Sequence, residues 1–307
     1  MISAIFPAYN EEENVKELHE RLIGALRAIG EPFEIIAVDN GSTDRTREEL
    51  LKLSPIRIVS IAYNMGQSAG LDAGIHAAQG DLIVTLDADL QNDPHDILRM
   101  RAKLQEGYDA VVGWRESRRD SLDRKIASRL ANWLAGAVLG FRVRDYGCAL
   151  KIFKKKYLEG IRLYGEMHIY LAAILHLRGA RVAQMPIAHR ERNRGLTKYT
   201  VLKGLKNLTD LFTVKFLIST SRPLLVFGVM GLASEGVGIT AVITAALLKI
   251  YDIRNLAQTP LPVIASFFII VGLIFIMMGF LAELILRVYY EGRNATPYFI
   301  RDVVENK

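Results

Sequence analysis

Along the first 115 residues, apolar and polar positions follow two alternating rhythms. Ile2–Pro7, Phe33–Asp39, Ile56–Ile61, Leu82–Asp87 and Ala110–Trp114 are short, nearly continuous apolar runs. Runs of this length, bounded by Gly, Asn and Asp, predict strands buried on both faces. Between them, Glu12–Ile29, Asp44–Lys52, Gln67–Ala78 and Pro94–Gln105 have helical patterns, the second with Ser42 or Asp44 as its cap. Repeated strand–helix units predict an α/β fold with a mostly parallel, Rossmann-like sheet and helices on both faces. In such sheets ligands sit beyond the carboxyl ends of the strands.

The pattern changes after residue 222. From Leu224 to Leu248 the only charged residue is Glu235, and from Leu261 to Ala282 there is none. As helices these stretches are roughly 33–37 Å long, enough to cross a hydrocarbon core of ~30 Å with some tilt. They predict transmembrane helices over about 224–248 and 261–286, joined by Lys249–Pro260. Residues 201–222 set Leu202, Leu205, Leu208, Leu211, Phe212, Phe216 and Leu217 among Lys203, Lys206, Asp210 and Lys215. That is the spacing of an amphipathic helix lying in the membrane interface. The chain thus divides into a domain over 1–200, an interfacial helix over 201–222, a hairpin over 223–290 and a tail over 291–307.

Charge orients this arrangement. Lys203, Lys206, Lys215 and Arg222 precede the first span, and Arg287, Arg293 and Arg301 follow the second. The loop holds only Lys249 and Arg254, with Asp252 against them. The positive-inside rule puts the domain and the tail in the cytoplasm, at a prokaryotic plasma membrane or an ER-type membrane. The N-terminus, MISAIFPAYNEEEN, has no basic segment followed by a long apolar run, so no signal peptide is expected. Glu235 should face another helix, a subunit or a polar lipid group. Gly231, Gly236 and Gly238 beside it suggest a close helix interface, such as a homo-oligomer contact.

Composition narrows the chemistry. The formal net charge is +6, but the cations gather beside the membrane segments, which argues against nucleic acid. The single cysteine, Cys148, excludes an intramolecular disulfide and suits an apolar core position. There is no GxGxxG after the first strand and no GxxxxGK[ST], so dinucleotide and P-loop sites are weakly supported. Polar clusters instead follow four strands in turn: PAYNE, DNGSTD, YNMGQ and DADLQNDP. Singly, each could be a capped turn. The last could also let Asp87 and Asp89 share a divalent cation.

PAYNEEENV, VDNGSTD, YNMGQSAGLDAGIHAAQGD and DADLQNDP, in that order, resemble the inverting family 2 glycosyltransferases with a GT-A fold. GEMHIYLAAILHLRGARVAQMPIAHRERNRGLTKYT, followed by two apolar spans, narrows the resemblance to the polyprenyl-phosphate glycosyltransferases, the dolichol- or undecaprenyl-phosphate mannose and glucose synthases. The resemblance implies transfer of a hexose from a UDP- or GDP-sugar to a polyprenyl phosphate, with inversion, on the cytoplasmic face. It implies a divalent metal, Mg²⁺ or Mn²⁺, on the donor diphosphate. Asp89 is the first choice as ligand, Gln91 adds an oxygen, and Asp87 holds the metal or the ribose. Pro7, Tyr9, Glu11 and Asp39 would line the nucleoside pocket, with Asn64 and Gly66 under the nucleotide. Asn40 departs from the usual Asp-Asp-Gly-Ser motif, which puts a charge role there in doubt.

On the acceptor side, Arg115 and Arg129 match positions that meet phosphates. Asp145 matches a proposed base or acceptor-orienting residue. Glu166 and His168 in GEMH could frame the sugar or acceptor. Arg190, Arg192, Arg194 and Lys198 would grip the lipid phosphate or the donor diphosphate, or draw the chain to anionic headgroups. A processive polysaccharide synthase is a weaker alternative, since QxxRW and Thr-Glu-Asp are missing and two spans are few for a polymer channel. A non-catalytic flippase partner is disfavoured by the intact Asp87, Asp89 and Gln91.

Overall fold

The computed structural model describes residues 1–115, 122–190, 211, 214–215, 223–253, 255, 258–291 and 300–306, with backbone alone at 122–130, 223 and 286–291. The chain forms two compact units, 1–218 with 296–307, and 219–295.

The first unit is built on one sheet. Its strands are β1 (Ile2–Ala8), β2 (Phe33–Asn40), β3 (Ile56–Ile61), β4 (Leu82–Thr85), β5 (Ala110–Arg115), β6 (Lys151–Lys154), β7 (Val182–Ile187) and β8 (Ile300–Asn306). The order is β7-β5-β6-β4-β1-β2-β3-β8. Strands β3, β2, β1 and β4 are parallel neighbours, β6 runs antiparallel between β4 and β5, and β5 pairs with β7 in parallel. The helices are α1 (Val15–Ile29), α2 (Thr46–Leu51), α3 (Gln67–Ala77), α4 (Asp96–Gln105), α5 (Leu122–Leu139) and α6 (Leu171–Leu177).

The apolar runs are strands because both sheet faces are covered. Ile2, Ala4, Phe6, Ile35, Ala37 and Val84 point to the face packed by α1, α2 and α4. Ile5, Ile36, Val38, Val59 and Ile83 point to the other, under α3, α5 and α6. The period of two thus divides one sheet between two cores. Helix α3 packs closely on the sheet, because a Cβ on Gly74 would overlap the Ile5 side chain. Leu211 and Val214, from the segment expected at the membrane interface, are buried in the second core.

One strand departs from the expectation. The sequence pattern leaves the tail over 291–307 outside the domain, yet β8 pairs antiparallel with β3. Arg47 pairs with Asp302, and Arg57 with Glu305 and Glu34.

The second unit is a hairpin of α7 (Pro223–Ile250) and α8 (Leu261–Glu291). Within them Leu224–Ile250 and Leu261–Ile285 are long and apolar enough to cross a membrane, and only 17% of the most apolar stretch of each is buried. Leu232 is 67% exposed and Val263 74%, so these faces require an apolar surrounding. The small residues serve the hairpin itself. Gly231 lies against Ile276 and Gly272, Gly238 against Ile269 and Ala265, and Glu235 against Gly272. The close helix interface expected at Gly231 and Gly238 lies within the hairpin. A Cβ on Gly236 would meet nothing within 4 Å among the described residues.

Candidate active site

The loops that follow β1, β2 and β3 are tied into one surface. Asn10, at φ 57°, accepts the Thr43 N–H at 2.9 Å, and its own N–H donates to Ser42 Oγ at 3.2 Å. Glu11 N–H donates to Thr46 Oγ1 at 2.8 Å. Asp44 accepts the Thr46 N–H at 2.9 Å from one residue before the helix cap, which is Arg45 and not the expected Ser42 or Asp44. Burial alone would raise the Asp44 carboxyl, but its hydrogen bonds from Thr46 and Glu12 hold it below the ordinary range. Asp39 is buried and accepts the Ser42 N–H at 3.0 Å. Tyr9 is 42% exposed at the rim, beside half-buried Pro7. The Glu11 carboxylate accepts from Asn14 at 2.6 Å.

Asn40 acts through its neutrality. Its amide donates to the Gly66 carbonyl at 3.0 Å and accepts the Met65 N–H at 3.3 Å. Asn64 in turn accepts the Gly66 N–H at 2.9 Å. A carboxylate could accept but not donate. At Gly41 the chain has φ 71°, and a Cβ would come within 2.5 Å of the Tyr63 backbone. Glycine is required there on both counts.

The acidic turn after β4 is bent at Leu90, which sits at φ 61°, a costly conformation for a non-glycine residue. It sets Asp89 and Gln91 on either side of the bend, and the Gln91 N–H donates to Asp89 Oδ1 at 3.2 Å. Asp87 accepts from the Gln67 side chain at the start of α3. Two carboxylates and an amide oxygen are a hard donor set, the kind that Mg²⁺ or Mn²⁺ takes. Among the described residues no three His, Cys, Asp or Glu side chains come together as a metal site. That incomplete set fits an ion that shares its coordination with diphosphate oxygens and water.

Beside this turn, Arg115 grips Asp145 with two parallel bonds, Nε to Oδ2 at 2.6 Å and an Nη to Oδ1 at 2.8 Å. Both groups expected on the acceptor side therefore form one unit across 30 residues of sequence. Arg129 is on α5, and its side chain lies outside the described residues. A residue that sequence reasoning passed over, Lys151, is buried next to them and donates to the Cys148 carbonyl. Burial pushes its ammonium below the usual lysine range, against the pull of Cys148, Asp87 and Asp145. Burial likewise pushes the Cys148 thiol up to about 11. The apolar strand pattern around Lys151 was the available signal: a charge inside a buried strand.

The GEMH segment is docked on α3. Ser68 Oγ lies 2.9 Å from His168 Nδ1 and accepts the His168 N–H at 3.1 Å. Glu166 is 3.9 Å from His168 Nε2. Asp72, which reads in the sequence as an ordinary helical residue, is buried and accepts the Leu163 N–H at 2.7 Å and an Arg162 donor at 3.2 Å. The basic segment begins on the acidic turn. Arg190 N–H donates to the Gln91 carbonyl at 2.8 Å, and its guanidinium pairs with Asp93 at 3.0 Å. Burial would raise the Asp93 carboxyl, but His95 and Arg190 outweigh it and hold it low. Arg192, Arg194 and Lys198 lie outside the described residues.

Comparison with known proteins places the chain in a family. Residues 3–162 match the model of "Glycosyl transferase family 2". A dodecaprenyl-phosphate galacturonate synthase of Rhizobium johnstonii is 34% identical, over 100% of this chain and 94% of its own. An undecaprenyl-phosphate 4-deoxy-4-formamido-L-arabinose transferase of Proteus mirabilis is also 34% identical, over 99% and 94%. Glucosyl-3-phosphoglycerate synthase from Mycobacterium tuberculosis, solved with Mn²⁺ and UDP-glucose, shares the fold at TM-score 0.54 and 20% identity, over 72% of this chain and 81% of that one. Mannosyl-3-phosphoglycerate synthase from Rubrobacter xylanophilus does so at TM-score 0.54 and 14% identity, over 70% and 74%. Family model and full-length relatives agree: the chain is a glycosyltransferase of family 2, in the group of the polyprenyl-phosphate sugar transferases.

Proposed function

We propose that the protein moves a sugar from a UDP- or GDP-linked donor to the phosphate of a polyprenyl lipid, on the cytoplasmic face of the membrane. The observation that supports this best is one sheet edge bearing both the oxygen-donor turn of Asp87, Asp89 and Gln91 and the Arg115–Asp145 unit. The relatives' names extend to a hexuronic acid and a modified pentose. The proposal therefore takes the sugar more broadly than the hexose of the sequence reading.

The roles follow from position. Pro7, Tyr9, Glu11 and Asp39 bind the nucleoside, and the Asn40-tied loop with Asn64 and Gly66 supports the nucleotide. Asp89, with Gln91 and Asp87, would hold Mg²⁺ or Mn²⁺, which when bound stabilises charge on the departing diphosphate. The lipid phosphate oxygen attacks the anomeric carbon opposite the diphosphate. The carbon–oxygen bond to the diphosphate breaks, its electron pair leaves with the nucleotide, and the configuration inverts. The attacking phosphate is already an anion, so little is asked of a base. Asp145 serves by fixing the Arg115 guanidinium, and Arg129, Arg190, Arg192, Arg194 and Lys198 balance the phosphate charges. Glu166 and His168, held on α3, frame the sugar.

The test uses the purified full-length protein with Mg²⁺ or Mn²⁺, undecaprenyl or dolichyl phosphate, and a panel of labelled UDP- and GDP-sugars. One labelled glycolipid is expected. Nucleotide binding with no product from any donor overturns the reading in favour of a non-catalytic role. Asp89→Ala is expected to lower turnover by about 10³-fold and to abolish the metal dependence of nucleotide binding in calorimetry. Wild-type values in that variant rule out the metal assignment.

A further inference from the structure

Lys151 opens β6 at the sheet edge that carries the site. It stands in register with Thr85 at the end of β4 and with Val112 of β5. The residue is 4% exposed, and its ammonium donates to the Cys148 carbonyl. A buried ammonium is costly unless anions surround it. Asp87 is two residues past Thr85. The turn whose Cys148 carbonyl takes the ammonium is closed by the Cys148 N–H on the Asp145 carbonyl at 3.4 Å. The Asp87 turn and the Asp145 segment thus flank Lys151, and both carboxylates favour its charge. One of these carboxylates belongs to the donor side of the site and the other to the acceptor side. Each is also held from its own side, Asp87 by the Gln67 amide and Asp145 by Arg115.

Burial keeps the ammonium from reaching either substrate. An apolar side chain of similar length would fill the same volume without the desolvation cost. The property this position uses is therefore charge. We propose that Lys151 is a positioning residue for the transfer, its ammonium holding the Asp87 turn and the Asp145 segment in one fixed arrangement. This inference rests on the assignment of Asp87 to the donor and Asp145 to the acceptor.

Lys151→Met in the full-length enzyme is the test, read by steady-state kinetics, by calorimetry of UDP binding with Mn²⁺, and by thermal melting. The expected result is a folded protein with kcat lowered by about 10- to 100-fold. The KM values for both substrates should rise, and UDP affinity should fall. Lys151→Arg, which keeps the charge, should recover most of kcat. A Lys151→Met variant with kinetic constants within about two-fold of wild type, whatever its melting temperature, overturns the proposal. Where Lys151→Met does not fold, Lys151→Gln gives the same reading, because it keeps a donor for the Cys148 carbonyl without the charge. Asp87→Asn and Asp145→Asn run alongside. If both are fully active, the site assignment itself fails. If both are impaired and the Lys151 variants are not, only the role of Lys151 fails.

Discussion

A single amide decides how the nucleotide side of the site is assembled. Asn40 is buried and joins the end of β2 to the loop after β3, giving one bond to the Gly66 carbonyl and taking one from Met65. Asn40→Ala leaves the Met65 N–H without its acceptor and takes one of two donors from the Gly66 carbonyl, which keeps the Gly70 N–H at 3.3 Å. The lost Met65 bond costs about 1–3 kcal/mol where water does not reach it. The loop that carries Asn64 and Gly66 should then wander. The expected outcome is a donor KM raised about ten-fold or more, with a smaller change in kcat, measured at saturating acceptor. A variant whose donor KM is unchanged would show that the loop is held by other contacts. At this scale the sequence was a partial guide. The types of residue at the strand ends were legible, because polar clusters after apolar runs stand out. Their partners were not. The Arg115–Asp145 unit joins residues 30 positions apart, Asp72 sits inside an unremarkable helical pattern, and Lys151 is distinguished only by burial.

Among the elements, the five early strands and four helices follow from apolar periodicity, and their observed ends differ by a few residues. Strand β8 was missed for a physical reason. IRDVVEN is short and charged, as edge strands are, and its partner β3 lies about 240 positions earlier in the chain. Its contribution can nevertheless be measured. It covers the outer edge of β3 with a ladder that shifts register once, between Ser60 and Ile61, and its Glu305 and the domain's Glu34 flank Arg57, which is only 15% exposed. Asn306 also donates to the Leu51 and Leu53 carbonyls at 2.8 and 3.1 Å. Removing residues 300–307 would bare that edge and leave Arg57 with less compensation. The truncated protein should melt several degrees lower, a shift that corresponds to roughly 1–3 kcal/mol, and should aggregate on storage. Both tryptophans, Trp114 and Trp133, lie in this domain, so their fluorescence reports on it and not on the hairpin. An unchanged melt would mean that β8 adds nothing to the domain.

At the scale of the molecule, the pairing of β8 with β3 places both ends of the chain on the sheet of one domain. A hairpin of two crossings is consistent with that, because it returns the chain to the side it left. Which side is a matter of charge: the cations outside the hairpin loop outnumber those within it, and this favours a cytoplasmic domain. Cysteine labelling tests the orientation, and the molecule is suited to it. The one native thiol, Cys148, is buried and pushed up to about 11, so it should stay silent toward a maleimide at neutral pH, where the thiolate is the reacting form. Asn255→Cys puts a thiol in the exposed hairpin loop, and Lys52→Cys puts one on the domain at a side chain 64% exposed. With a membrane-impermeant maleimide on intact bacterial cells, Asn255→Cys should label at once. Lys52→Cys should label only after the membrane is opened. The reverse order would place the domain outside the cell, away from cytoplasmic nucleotide sugars, and would refute the cytoplasmic reading while leaving the two-crossing topology intact.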